Sequence, residues 1–264
     1  MSSMKNIVVL SLSLLFIVSC QTRSVKEVGK APLLVVSGGL EPGILLDHRY
    51  FLISYNKTER LPNWVLYRLE ASQVGTKKAK RRDRFFADPL LVARGIDPVK
   101  PKDYEGKNYD RGHMAPSEDF TWDQAANDMT FVMSNMAPQK AALNRGSWKT
   151  LEGKVRRWAC TEKDLRIVTG PVPAGGLPTM FSGVSIPRQF FKVILDNTPP
   201  RKTIAFVFSQ EDGKVSYKER AVSMETVEKL TGYRFFNDVS ERDILAARFD
   251  INKWVESNCG DFAQ

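Results

Sequence analysis

Between Tyr109 and Glu152 the chain carries a dense polar set: Asp110, Arg111 and His113, then Asn135 and Gln139, then Asn144 and Glu152. An imidazole accepts a proton near neutral pH, a guanidinium is a fixed cation, and amide and carboxylate oxygens suit a hard divalent ion. Those are the parts that phosphodiester hydrolysis needs, gathered into one supersecondary unit. The chain has only two histidines, His48 and His113, which excludes a three-histidine metal site.

His113 is the candidate general base, working near its ordinary pKa of about 6.5, and His48 reads as a turn or surface histidine. Asn144 is the candidate metal ligand. Its neutral amide oxygen is a poor sole ligand for zinc but suits Mg²⁺, which keeps several waters. Asn is also a common helix N-cap, and an N-cap points its side chain out of the helix, so both roles are compatible. Glu152 lies eight residues further on, about 12 Å along an ideal helix and about 80° around it. That separation predicts a role holding metal-bound water rather than direct coordination, with a solvent-facing glutamate as the alternative. Asn135 and Gln139 either orient the histidine or substrate, or satisfy backbone groups in an irregular loop. Arg111 either contacts phosphate or braces the site, and Asp110 is a scaffold partner for an arginine.

The elements that must position these groups follow from patterning. Residues 109–114 read as a short strand, 125–129 as a helical turn and 131–133 as a buried strand. From Asn144 the apolar residues Trp148, Leu151, Val155 and Trp158 recur at helical spacing. Upstream, Tyr50–Tyr55 and Trp64–Leu69 are aromatic and β-branched runs separated by turn residues, which predicts a hairpin. Downstream, residues 165–171, 190–195 and 203–208 read as scaffold strands. Ser223 is placed to cap a helix through Leu230 closed by Gly232, and 240–256 read as helical.

With 264 residues and no internal repeat, the chain suits one large domain. Its formal charge of +9 favours polyanions, although a solvated basic face or an anionic membrane fits as well. Lys5 followed by the apolar run Ile7–Val18 has the form of an export signal, too short to span a bilayer of roughly 20 residues. Ile17-Val18-Ser19-Cys20 resembles a bacterial lipobox, which implies cleavage before Cys20 and lipidation there; an ordinary secretory signal is the alternative. The expected organisation is a signal over 1–19, a tether over 20–45 in which Leu33–Val36 could dock as an edge strand, and the domain over 46–264. Export permits a disulfide between the remaining cysteines, Cys160 and Cys259, though spacing does not say whether they meet.

The run Asp110-Arg111-Gly112-His113-Met114-Ala115-Pro116, then Ser134-Asn135-Met136-Ala137-Pro138-Gln139, then Leu143-Asn144-Arg145-Gly146 resembles the signature of the DNA/RNA non-specific endonuclease family. That family includes mitochondrial endonuclease G and secreted bacterial nucleases. Thr169-Gly170-Pro171 and Phe190-Phe191-Lys192-Val193 resemble it too. The resemblance implies an α+β fold with the ββα-metal (His-Me) finger and a mostly antiparallel central sheet flanked by helices. It further implies sequence-indifferent cleavage of DNA and RNA to 5′-phosphates, with His113 as base and Mg²⁺ or Mn²⁺ on Asn144. The family places a phosphate-contacting arginine shortly before an Asp-Pro. Within Arg82-Asp83-Arg84-Phe85-Phe86-Ala87-Asp88-Pro89 the favoured counterpart is Arg82, with Arg84 the alternative. Lipidation at Cys20 would tether the enzyme to the cell envelope of a bacterium, with the outer membrane expected because Gln21 is not aspartate. The rivals are a lipid-anchored polyanion binder that does not cut and a phosphodiesterase for small or lipid phosphates. The residues do not settle DNA against RNA, Mg²⁺ against Mn²⁺, or whether the chain forms a homodimer.

Overall fold

The computed structural model describes residues 36–39, 43–106, 108–240 and 249–259. The signal segment and Cys20 lie outside these residues. A seven-stranded antiparallel sheet runs in the order β10-β9-β8-β7-β4-β3-β2. Its strands are β2 (Ile44–Asp47), β3 (Phe51–Asn56), β4 (Leu61–Glu70), β7 (Asp164–Pro171), β8 (Gln189–Asp196), β9 (Lys202–Ser209) and β10 (Ala221–Val222). Two ribbons complete the strand set: β1 (Val36–Gly38) with β11 (Tyr233–Phe235), and β5 (Asp110–His113) with β6 (Met136–Gln139). The helices are α1 (Pro89–Val92), α2 (Gln124–Met129), α3 (Ala141–Leu143), α4 (Lys149–Glu162) and α5 (Met224–Thr231).

Both faces of the sheet are covered, which is why β8 is buried at every residue after Gln189 instead of alternating between buried and exposed. Phe190 and Ile194 belong to a core shared with Trp148, Leu151, Val155 and Trp158 on the α4 side. Phe191, Val193 and Leu195 face the other core, with Met224 and Val227 of α5 and the β1–β11 ribbon. The period-two alternation therefore turns Lys192 toward α4. Helix α5 ends as its sequence signals require: Ser223 Oγ accepts from Thr226 N at 3.1 Å, and Gly232 adopts a left-handed φ of +73°.

Several expectations need correction. Folded structure begins before residue 46, since β1 lies within the segment read as a tether and β2 starts at its end. Residues 131–133 form no regular strand; Val132 makes a single parallel bridge to Phe86, and a 3₁₀ turn over Met133–Asn135 leads into β6. In the carboxy-terminal segment, residues 249–256 show one 3₁₀ turn, Ile251–Lys253, and no α-helix. Trp254 anchors it against Trp158 with ring centres 5.4 Å apart, and Cys259 is disulfide-bonded to Cys160 of α4 with Cα atoms 5.3 Å apart. Residues 241–248, which carry most of the spacing read as helical, lie outside the described residues; over 249–259 aromatic anchoring and a covalent bond hold the segment.

His48 sits in the turn between β2 and β3 but is not at the surface. It is 5% exposed, and its Nε2 lies 3.0 Å from Asp88 Oδ2, which also accepts from Ser134 Oγ. Asp88 additionally caps α1 through Leu90 N. This buried cluster ties the start of β3 to the loop before the β5–β6 ribbon.

Candidate active site

The ribbon β5–β6 and the start of α4 enclose a cleft of about 710 Å³. His113, Asn144, Glu152, Arg111 and Asp110 all line it. The ribbon register pairs Asp110 with Gln139 and His113 with Met136. A Cβ at Gly112 would meet Gln139 Oε1 at 2.1 Å, so a larger residue there requires the buried Gln139 side chain to move. Gln139 is buried behind the ribbon, with neither end of its amide hydrogen-bonded, and it does not line the cleft. Asn135 is also internal: its Nδ2 donates to Ala115 O at 2.9 Å and Thr130 O at 2.8 Å, and its Oδ1 accepts from Ala115 N at 2.9 Å. Of the two roles left open for Asn135, the structure shows the backbone one, holding the loop that follows His113.

His113 is 9% exposed and sits edge-on to Phe131, with ring centres 5.0 Å apart and Phe85 at 5.8 Å. Its Nε2 has no hydrogen-bond partner. Burial, with a smaller contribution from the Arg81 guanidinium, pushes its pKa from 6.5 down to about 3. The expectation of an ordinary imidazole is therefore corrected. His113 is neutral, with a lone pair available, throughout the neutral range, and it becomes a stronger base only when negative charge enters the cleft.

Asn144 is already helical, at φ −57° and ψ −45°, with its N–H bonded to Lys140 O at 2.9 Å. It is therefore not an N-cap. Its Nδ2 donates to Asp110 Oδ2 at 2.9 Å, and Arg145 clamps both oxygens of the same carboxylate at 2.6 and 2.8 Å. Burial alone would raise the Asp110 pKa, but the hydrogen bonds from Arg145 and Asn144 outweigh it and hold the carboxyl below its usual range. An ionised carboxylate only accepts, so the end of Asn144 facing it must be the NH₂, which leaves Oδ1 for a cation.

The helical run is broken at Gly146 (φ −105°, ψ −109°), and α4 proper starts at Lys149. A Cβ at Gly146 would meet the Gly213 carbonyl oxygen at 2.1 Å, which is why the break falls on a glycine. The ideal-helix separation of Asn144 and Glu152 therefore does not hold, and both border one cleft. Burial pushes the Glu152 carboxyl up to about 7, opposed first by Lys192 and then by Arg156, with Asp119 and Glu118 adding to the rise.

The expected phosphate arginines are corrected as well. Arg82 and Arg84 do not line the cleft; Arg82 Nη1 donates to Asp128 at 3.0 Å. Arg81 lines it instead, donating to Ser117 Oγ at 2.9 Å and lying 5.3 Å from the Phe131 ring centre. Along this segment Arg81, Asp83 and Phe85 line the cleft while Arg82 and Arg84 do not, and Asp83 has a φ of +47°. Arg111 braces the wall through Pro101 O at 2.9 Å, with its guanidinium 4.9 Å from the Phe85 ring centre. Arg156 was missed from sequence. It stands one turn beyond Glu152 in the cleft and donates to the buried Asp119 at 2.9 Å, and its i, i+4 spacing from Glu152 was the available signal. Among the described residues no three or more His, Cys, Asp or Glu are grouped to hold a metal, so the fit is to a sparse, hydrated hard cation on Asn144 Oδ1 with Glu152 nearby.

The comparisons with known proteins agree with this geometry. The family model for DNA/RNA non-specific endonucleases matches residues 36–242. A nuclease of Nostoc sp. is 35% identical over 207 residues, covering 74% of each chain. A nuclease of Serratia marcescens is 28% identical over 232 residues, covering 83% of this chain and 85% of its own. The crystal structure of an EndoG/EndoGI complex superposes with a TM-score of 0.67 at 27% identity, covering 77% of this chain and 91% of that one. With the ββα motif around His113 and the match over most of its length, the chain belongs to the DNA/RNA non-specific endonuclease family and is a nucleic-acid hydrolase with the His-Me finger fold.

Proposed function

We propose that this enzyme cleaves DNA and RNA without regard to sequence, leaving 5′-phosphates, with His113 as general base and a Mg²⁺ or Mn²⁺ ion held by Asn144. The observation that carries the reading is the meeting, in one cleft, of a neutral imidazole with an unpartnered Nε2 and an amide whose oxygen is freed by Asp110. His113 takes the proton from the attacking water at Nε2. Arg81, Arg111 and Arg156 border the same cleft and offer planar donors to the phosphate as its charge grows. Glu152 accepts hydrogen bonds from water around the ion. The bound cation supplies charge neutralisation at the phosphate and at the leaving oxygen. Contacts confined to phosphates carry no base information, which accounts for the indifference to sequence.

Export and lipid anchoring at Cys20 belong to the same proposal. The apolar segment Ile7–Val18 and the Ile17–Cys20 motif support it, as does the Cys160–Cys259 disulfide, which suits an oxidising compartment such as the bacterial cell envelope.

Purified protein incubated with plasmid and with RNA, in Mg²⁺ and in EDTA, tests the reading. Cleavage of both in Mg²⁺ alone is expected, with loss in His113→Ala. Unchanged cleavage by that variant removes the histidine from the chemistry, and binding without wild-type cleavage favours the polyanion binder.

A further inference from the structure

Lys192 is fully buried on β8 between Phe190 and Ile194, and its ammonium has no hydrogen-bond partner. A desolvated cation in such a place needs an opposite charge. Its Nζ lies 4.9 Å from the centre of the Trp148 ring. Glu152 is four residues after Trp148, one turn along the same helix face. Burial pulls the Lys192 pKa down, and Glu152 is the strongest influence raising it, followed by Asp119. Asp119, however, is already committed, accepting from Tyr67 Oη at 2.8 Å and Arg156 Nη1 at 2.9 Å. Glu152 makes no side-chain hydrogen bond or ion pair among the described residues.

We infer that Lys192 is the buried counter-charge of Glu152 and thereby a positioning residue of the cation site. This rests on the proposed role of Glu152 beside the ion. The ammonium acts from the sheet side, beneath the cleft, without occupying the carboxylate oxygens, so both remain available to water on the cleft side. The other charged or titratable groups facing Glu152 are Arg156 on its own helix, Asp119 and Glu118 on the 3₁₀ turn Ser117–Phe120, and Tyr67 on β4. Arg156 is shared with Asp119, and the two acids oppose the ionised form of Glu152. Removing Lys192 therefore takes away the strongest influence favouring the ionised carboxylate, and a carboxylic acid holds the ion's water poorly.

The experiment measures Mg²⁺ dissociation constants by calorimetry from pH 6 to 8.5, without nucleic acid, with thermal melts alongside. Lys192→Met keeps side-chain length without charge, and Lys192→Gln serves as a second neutral variant if the first fails to fold. Either is expected to fold, to bind Mg²⁺ about tenfold more weakly at pH 7, and to recover affinity toward pH 8.5. Lys192→Arg stays within about threefold of wild type. In a Glu152→Gln background, loss of the lysine adds nothing further. Wild-type Mg²⁺ affinity in the folded neutral variants, or an equal loss when Glu152 is already absent, overturns the inference. Unchanged Mg²⁺ binding in Asn144→Ala instead overturns the proposed cation site itself.

Discussion

Asp110→Asn tests the logic of the site most directly. The substitution changes one atom of a half-buried side chain, and it keeps shape and volume. What it removes is the one-way character of the acceptor. Facing an ionised carboxylate, the Asn144 amide can turn only its NH₂ inward, whereas facing another amide it can present either end. A hydrogen bond to a charged acceptor contributes roughly 1.5–3 kcal/mol. Divided by about 1.4 kcal/mol per decade, that bias corresponds to about tenfold to a hundredfold in affinity, the range seen when groups that orient metal ligands are lost. Mg²⁺ affinity by calorimetry is therefore expected to fall by that factor, while the melting temperature changes by only a few degrees. Arg145→Ala is the control. Arg145 is exposed, Asp110 still accepts from Asn144 without it, and Mg²⁺ affinity is expected to stay within about threefold. A Mg²⁺ affinity in Asp110→Asn within threefold of wild type would refute the argument that the carboxylate sets the amide.

Three further outcomes follow from the geometry. Imidazole NMR, assigned through the signal lost in His113→Gln, should show His113 untitrated between pH 8 and pH 5; a midpoint near 6.5 contradicts its burial. Because the unfolded chain binds that proton and the folded one does not, His113 costs no stability above about pH 7, and the cost grows as pH falls from 6.5 toward 3. It reaches about 2 kcal/mol at pH 5, measured as wild type against His113→Gln so that the opposing raised carboxyls Glu152 and Asp196 cancel. Arg81→Ala is expected to lower cleavage by about a hundredfold or more and Arg82→Ala by less than about threefold, and equal losses would refute the assignment of Arg81 to the cleft. Reduction of Cys160–Cys259, which spans 99 residues, should cost on the order of 4–5 kcal/mol, seen as a melting temperature at least about 10 °C lower; identical melts with and without reductant argue against it.

The sequence alone determined the family and the scaffold strands and singled out His113, Asn144 and Glu152, which the structure brings to one cleft, because these readings depend on local spacing and on side-chain chemistry that does not change with packing. The β3–β4 hairpin, β7, β8, β9 and the capped α5 were legible for the same reason: alternation, helical spacing and Ser/Gly punctuation are local signals. Tertiary structure decided what depends on which neighbours meet. It put Arg81 rather than Arg82 into the cleft, because those residues lie outside any regular element and no local pattern tells which of them faces the site. It depressed the His113 pKa through burial against two aromatic rings far from it in sequence. It broke the helix at Gly146, between Asn144 and Glu152, against the Gly213 carbonyl, and both residues line one cleft. It also set Lys192 against Trp148, one helical turn from Glu152, since sheet and helix meet only through packing.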